Sequence, residues 1–399
     1  MEAVDNLMDG TGEKDTIRGK TEGTGSGTGQ EERVWVINPG STSMKWSVFR
    51  GERSLLDEEI SCDLPVPCLA FDRKRVLTKI SDELRERLNN AYSGPLDSIS
   101  ARGGFLPRPE GKLKGGTYIL AERKGNRIFI HEDMVRGVTE NPERHHACNW
   151  GIPLAANLAL KLGIPAFVVD PVVVDEFWPE AELSGVEGIV RRSAAHALSV
   201  KEAAREAAQR MGSLLQDLCL VVAHLGGGIT VAAIREGRMV DNNIALLGGG
   251  PYTPQRVGSL PMGELIDLCF RQGSDRETLI RALTKRGGLQ SYLGEHRMDR
   301  IEQRIAEGDA RARLVVEGML YQTAKEIGAQ FVAAGCDVDA IVLTGGLAHS
   351  TLVTEGLREK IGRLAPVMVF PGSLEMRALA AGAIRVLQGQ EEPLLYRLP

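Results

Sequence analysis

Four apolar residues in succession, Val-Trp-Val-Ile at 34–37, end a polar opening and begin the first stretch able to bury both faces of a strand. The same kind of run returns as Ala-Phe-Val-Val at 166–169 and Ala-Ile-Val-Leu at 340–343. Between these runs lie amphipathic stretches such as Pro153 to Leu162 and Ala310 to Ala334, whose apolar positions suit helices packed on a sheet. Short buried strands alternating with helices predict an α/β fold with partly parallel sheets. Residues 1–32 stand apart. They are rich in Gly, Thr and Glu and have little to bury, so a disordered tail is expected there.

One pattern occurs twice. Val-Trp-Val-Ile-Asn-Pro-Gly-Ser-Thr-Ser-Met-Lys-Trp-Ser-Val-Phe, from Val34, is strand, glycine turn, strand. Leu-Val-Val-Ala-His-Leu-Gly-Gly-Gly-Ile-Thr-Val-Ala-Ala-Ile, from Leu220, repeats the plan. Each opens a segment of similar length, which predicts a duplicated α/β domain with a cleft where the two turns face one another. The expected halves are 33–190 and 191–399, with the last helix a candidate to pack on the first half. A chain of 399 residues suits two such domains.

Bulk composition narrows the partners. Hydrophobic residues at 43% and charged residues at 25% give an ordinary globular balance. A formal net charge of -5 with no long basic block argues against nucleic acid or an anionic membrane as a partner, yet leaves room for local arginines to hold an anion. No apolar run is long enough to span a bilayer, and the acidic first residues do not resemble a secretion signal. Six cysteines, Cys62, Cys68, Cys148, Cys219, Cys269 and Cys336, form no Cys-x-x-Cys pair. Buried free thiols in a reducing cytoplasm are therefore expected.

The candidate chemistry lies in the turns. In the first, Gly40 lets a ligand approach the backbone, Ser41, Thr42 and Ser43 offer donors, and Lys45 adds charge. This is either a phosphate-binding hairpin or an ordinary Gly-Ser turn, and it is not a Walker A loop. In the second, His224 precedes Gly226, Gly227 and Gly228, a triple glycine that weakens a sheet unless something must come close to the backbone. The third, Leu-Thr-Gly-Gly at 343–346, suits a nucleoside passing over Gly345 and Gly346 or a routine strand-to-helix loop. Arg102 and Arg256 sit in loops and carry the planar fork that holds a carboxylate or phosphate. Asp170 ends an apolar strand run, where ligands bind in open α/β sheets, and Glu375 precedes an Ala-rich helix. Either carboxylate is a candidate for Mg²⁺, although an acid at a helix start is also favoured by the dipole.

Taken together these segments resemble the butyrate kinases, within the acetate and sugar kinase, heat-shock chaperone and actin superfamily. The likeness runs through most of residues 33–396. Its carriers are Val-Ile-Asn-Pro-Gly-Ser-Thr-Ser at 36–43, Ala-Arg-Gly-Gly at 101–104, His-Ala-Cys-Asn-Trp-Gly at 146–151, and the run from Gly163 to Glu176. Ala-His-Leu-Gly-Gly-Gly at 223–228, Leu-Thr-Gly-Gly at 343–346 and Glu-Met-Arg-Ala-Leu-Ala at 375–380 complete it. The resemblance implies duplicated ribonuclease H-like (actin-like ATPase) domains, ATP and Mg²⁺, and the reversible reaction of butanoate with ATP to give butanoyl phosphate and ADP. It implies that Asn38 positions the transferred phosphoryl group, that Arg102 and Arg256 hold the carboxylate, and that Asp170 orients Arg102 or the metal. His196 and His224 would donate to phosphoryl oxygens, Ser41, Ser43, Lys45 and Gly226–Gly228 would line the ATP phosphates, and Glu375 would sit with the metal. A cytoplasmic homo-oligomer, at least a dimer, is also implied. Branched-chain, propionate or acetate kinases, a kinase or phosphatase for another acid or a sugar, and a degenerate nucleotide-binding protein are the competing readings.

Three departures from the family pattern stand out. They are the long tail, the apolar loop Leu-Leu-Gly-Gly-Gly-Pro-Tyr-Thr-Pro-Gln-Arg at 246–256 in place of a more acidic one, and Ala194-Ala195 where bulkier residues are usual. The alanines are expected to widen the acyl pocket toward longer or branched chains.

Overall fold

In a computed structural model the described residues are 31–40, 43–61, 73–109, 111–140 and 146–399. Ser41, Thr42, Cys62, Cys68 and nearly all of the expected tail lie outside them. Strands β1 (Arg33–Pro39), β2 (Ser43–Arg50), β3 (Arg53–Ser61), β4 (Ser98–Arg102), β5 (Thr117–Lys124), β6 (Arg127–Ile130) and β7 (Ala166–Val169) form one sheet in the order β3-β2-β1-β4-β7-β5-β6. Strands β8 (Cys219–Leu225), β9 (Ile229–Arg235), β10 (Arg238–Asn242), β11 (Ala340–Gly345) and β12 (Val367–Pro371) form a second, in the order β10-β9-β8-β11-β12.

The two sheets repeat one plan. In each, an antiparallel three-strand meander leads, and its first strand pairs in parallel with a later strand, which pairs in parallel with another. The first sheet adds the antiparallel pair β5 and β6 at its far edge. The duplication expected from the two glycine turns is therefore a duplication of strand order, and it sets those turns at equivalent places in the two halves.

Strand periodicity explains why both sheets are covered on both faces. Along β1, Trp35 and Ile37 join the core beneath the helices Arg73–Ala91 and Gly151–Leu162, while Val34 and Val36 join the core on the opposite face. In β8, Val221, Ala223 and Leu225 face the helix Ala310–Ala333, and Leu220 and Val222 face the helix Ala197–Met211. Successive side chains point to opposite faces, so a strand buried on both reads as an unbroken apolar run. The last helix, Glu375–Leu387, packs against the first sheet through Leu379, Ala383 and Ile384. Gly382 permits that approach, because a Cβ there would press into the Val169 side chain.

One buried ion pair ties the first sheet to the helix that leads into the second. Asp170 follows β7 with a positive φ of 38°. Its Oδ1 accepts from the Gly116 amide at 2.7 Å and its Oδ2 from Arg205 Nη1 at 3.1 Å, on the helix Ala197–Met211. The Asp170 side chain is fully buried, and Asp170 leads the charged neighbours that raise the pKa of Arg205. The expected buried thiols are found only in part. Of the four described cysteines, all free, Cys148 is buried, Cys219 is intermediate, and Cys269 and Cys336 are exposed. Cys269 lies on the helix Met262–Phe270, none of whose residues is buried, and Cys336 follows the end of the helix Ala310–Ala333 with a positive φ.

Removing one partner of a buried pair strands the other charge. Asp170→Ala is therefore expected to destabilise the fold by about 3 kcal/mol, measured by denaturant unfolding. Unchanged stability would contradict a structural role for the pair.

Candidate active site

The site is assembled from strand ends and the start of one helix. Asn38 is the penultimate residue of β1, Arg102 ends β4, and Glu375 begins the helix Glu375–Leu387. One carboxylate oxygen, Glu375 Oε2, accepts from Asn38 Nδ2 at 2.9 Å and from Arg102 Nη1 at 2.9 Å. A weaker bond runs from Arg102 Nη1 to Asn38 Oδ1 at 3.4 Å. Two segments separated by 273 residues thus share one charge-assisted junction.

The second half contributes Arg256, His196 and His224. Arg256 Nη1 donates to the Ala245 carbonyl at 3.1 Å. Among the described residues no carboxylate forms an ion pair with Arg256, and burial lowers the pKa of its guanidinium. The rings of His196 and His224 stack with centroids 4.5 Å apart. His196 Nδ1 is hydrogen-bonded to Thr230 Oγ1 at 2.8 Å, whereas His224 Nδ1 is buried with no hydrogen-bond partner. Desolvation is the main cause that drives both rings toward the neutral form. His196 is held well below the ordinary histidine range, and His224 is lowered to about 4.

The glycine turn between β8 and β9 is shaped by these side chains. A Cβ on Gly228 would run into the Arg256 guanidinium and approach His196. Thr253 Oγ1 donates to the Gly227 carbonyl at 2.6 Å and accepts from the Arg256 amide at 3.0 Å, which joins the turn to the arginine's own loop. At the end of β11, Gly345 has a φ of 93° and passes tightly against Leu225, while a Cβ on Gly346 would meet only open space.

A cavity of about 140 Å³ lies between the two halves. Arg102 and Arg256 line it, with Phe105, His146, Ala194, Ala195 and Leu246 among its other walls. His146 is held below its ordinary range by desolvation, with Arg102, Lys285 and Arg256 adding to the effect, and the two guanidiniums share the pocket with mostly apolar walls.

Not every candidate residue is brought here. Asp170 hydrogen-bonds to Arg205 and Gly116 rather than to Arg102, and those two bonds occupy both of its oxygens. Lys45 is exposed and lies opposite Asn38 in the β1–β2 register, on the same face of the sheet. Ser43 donates to Glu59 at 2.6 Å. Sequence reading gave no role to Phe105, His146, Thr230, Thr253 or Ala245. His146 lay within a quoted motif, but nothing in its spacing pointed to a pocket wall. No group of three or more His, Cys, Asp or Glu is arranged to hold a metal among the described residues. Mg²⁺ needs no such group where phosphate oxygens and water complete its shell, and the partly exposed Glu375 carboxylate fits that use better than Asp170 does.

Residues 182–364 match the acetokinase family. The match covers the segment carrying His196, His224, Gly226–Gly228, Arg256 and Gly345–Gly346. Among solved structures, the chain is similar to the acetate kinase of Porphyromonas gingivalis, with a TM-score of 0.71 and 18% identity over 89% of this chain and 100% of that one. The acetate kinase of Entamoeba histolytica gives a TM-score of 0.67 and 16% identity over 88% and 98%. A propionate kinase from Francisella tularensis subsp. tularensis SCHU S4 gives 0.61 and 17% over 88% and 98%. At these identities the likeness is one of fold, and it extends over both halves. No described helix is long and apolar enough to cross a membrane.

The buried histidines carry a pH signature. The folded pKa of His224, about 4, lies below the ordinary 6.5, so between these values the unfolded chain binds a proton that the folded one does not. Stability should therefore fall as pH drops from 6.5 to 4, by up to about 1.4 kcal/mol per pH unit for each such proton. Replacing His224 with Asn should make the fall in Tm over this window shallower. Parallel curves for the two proteins would contradict a buried neutral His224.

Proposed function

We propose that this protein is an ATP-dependent carboxylate kinase that converts a short-chain fatty acid, with butanoate the best fit, into its acyl phosphate. The observation that carries this reading is the Arg256 guanidinium, which has no carboxylate partner among the described residues and lines the same small, mostly apolar pocket as Arg102. A half-buried cation without an acid partner favours an anionic ligand, and the apolar walls suit a short hydrocarbon tail. The acetokinase match and the shared fold point to the same reaction class.

In the proposed reaction a carboxylate oxygen attacks the γ-phosphorus of ATP. The new oxygen–phosphorus bond forms as the bond to the β-phosphate bridging oxygen breaks, and ADP leaves. A carboxylate is already a nucleophile, so no general base is required. The difficulty is bringing two anions together, which makes positioning and charge neutralisation the main sources of rate. Arg102, fixed by Glu375, and Arg256, fixed by the Ala245 carbonyl, would hold the acid and the developing charge. Asn38 would orient the transferred group. His196 and His224, kept neutral, would act as dipoles beside it. Gly226–Gly228 would admit the ATP phosphates and Gly345–Gly346 the nucleoside. Mg²⁺, which neutralises phosphate charge when bound, would sit by Glu375.

Butanoate is favoured over acetate because Ala194 and Ala195 are small at the pocket wall. The domain boundary near residue 190, a cytoplasmic location and a homo-oligomer belong to the same proposal.

Hydroxylamine trapping of the acyl phosphate tests it. With butanoate, ATP and Mg²⁺, hydroxamate should accumulate. Arg256→Ala should lower kcat/KM about a hundredfold, equivalent to about 3 kcal/mol of transition-state stabilisation. Absence of hydroxamate with any acid would overturn the reading.

A further inference from the structure

The loop at 244–250 separates the arginine-lined pocket from a second chamber. That chamber, about 230 Å³ and open to solvent on one side, is lined by Ile244, Leu247, Val257, Leu260, Met262 and Leu265, of which Leu260 is 40% and Met262 76% exposed. Ala245 and Leu246 line both spaces and so form the partition. The partition is one short turn, closed by the Gly248 amide donating to the Ile244 carbonyl at 3.1 Å. Only Ala245 is pinned to the site, through its carbonyl bond from Arg256. Leu246 is 41% exposed and Leu247 50%, so neither is locked by packing. Gly249 and Gly250 follow with φ of 145° and 94°, a backbone with little side-chain restraint.

The second chamber is apolar and has no charged side chain among its lining residues. Leucines and a methionine facing open space are unfavourable in water unless something apolar covers them. An apolar cavity of about 150 Å³ in another protein already takes a benzene-sized ligand. The two chambers together offer more than twice the volume of the first.

Building on the carboxylate kinase reading, we infer that the acyl tail passes the Ala245–Leu246 partition into this second chamber. The substrate class then extends beyond short-chain acids to carboxylates with straight or arylalkyl tails of roughly six to eight carbons, long enough to cover the exposed leucines and methionine of the second chamber. The carboxylate stays between Arg102 and Arg256. Only the tail moves past Leu246, and the bonds made and broken at phosphorus are unchanged.

The test uses the full-length enzyme with ATP, Mg²⁺ and hydroxylamine, and acids from propanoate to octanoate plus 3-phenylpropanoate. Each methylene buried should raise kcat/KM by up to about fourfold, so turnover should persist or rise through hexanoate and octanoate. Leu265→Trp fills only the second chamber and should lower the octanoate-to-propanoate ratio of kcat/KM at least tenfold. Leu246→Ala, at a partly exposed position, should raise that ratio, and a cooperative thermal unfolding transition in each variant reports folding. Turnover that ends at four or five carbons, or a ratio unmoved in both variants, overturns the extended pocket and leaves the kinase reading standing. No turnover with any acid overturns both.

Discussion

Glu375 Oε2 holds Asn38 and Arg102 at 2.9 Å each, and the geometry of the site depends on that one oxygen. The carboxylate braces the mostly buried Arg102 through a charge-assisted bond. It also leaves Arg256, the other cation of the pocket, without an acid partner among the described residues. The site is therefore electrostatically incomplete by construction. One guanidinium is braced, and its neighbour is available to an anion. Shape alone would not define such a site, because the pocket is small and most of its floor is apolar.

The duplicated strand order makes this junction possible. β1 with β4 and β8 with β11 are equivalent parallel pairs, and each carries candidate residues at its C-terminal end. Asn38 and Arg102 end one pair, while His224 and Gly345 lie at the end of the other. In open α/β sheets these ends are where backbone groups are released from the ladder and can meet a ligand. The last helix packs on the first sheet, which delivers Glu375 to the junction. The buried Asp170–Arg205 pair links the strand β7 to the helix leading into the second half, and so contributes to the frame.

Much of this was legible in the sequence, for identifiable reasons. Apolar runs at 34–37, 166–169 and 340–343 mark strands buried on both faces, and the glycine turns after β1 and β8 mark the repeat. Arg102, Arg256 and Glu375 were legible as charges in loops or at a helix start. What escaped was set by partners distant in sequence. Nothing around Asp170 indicates that Arg205, inside an ordinary amphipathic helix, takes its carboxylate. His146 and Phe105 become pocket walls only once the Gly151–Leu162 helix is packed beneath β4. The 246–256 loop read only as an apolar departure from a more acidic one, and in the structure the Ala245 carbonyl just before it and Thr253 within it support Arg256. The expectation of buried thiols failed at Cys269 because its apolar helix, Met262–Phe270, has no buried residue.

The most direct test is ³¹P NMR of the protein with ATP, Mg²⁺ and butanoate. An acyl phosphate resonance should appear together with ADP, one for one, as ATP is lost. ATP that stays intact in the presence of butanoate, or that yields only inorganic phosphate, would contradict the assignment of Arg102 and Arg256 to a carboxylate acceptor.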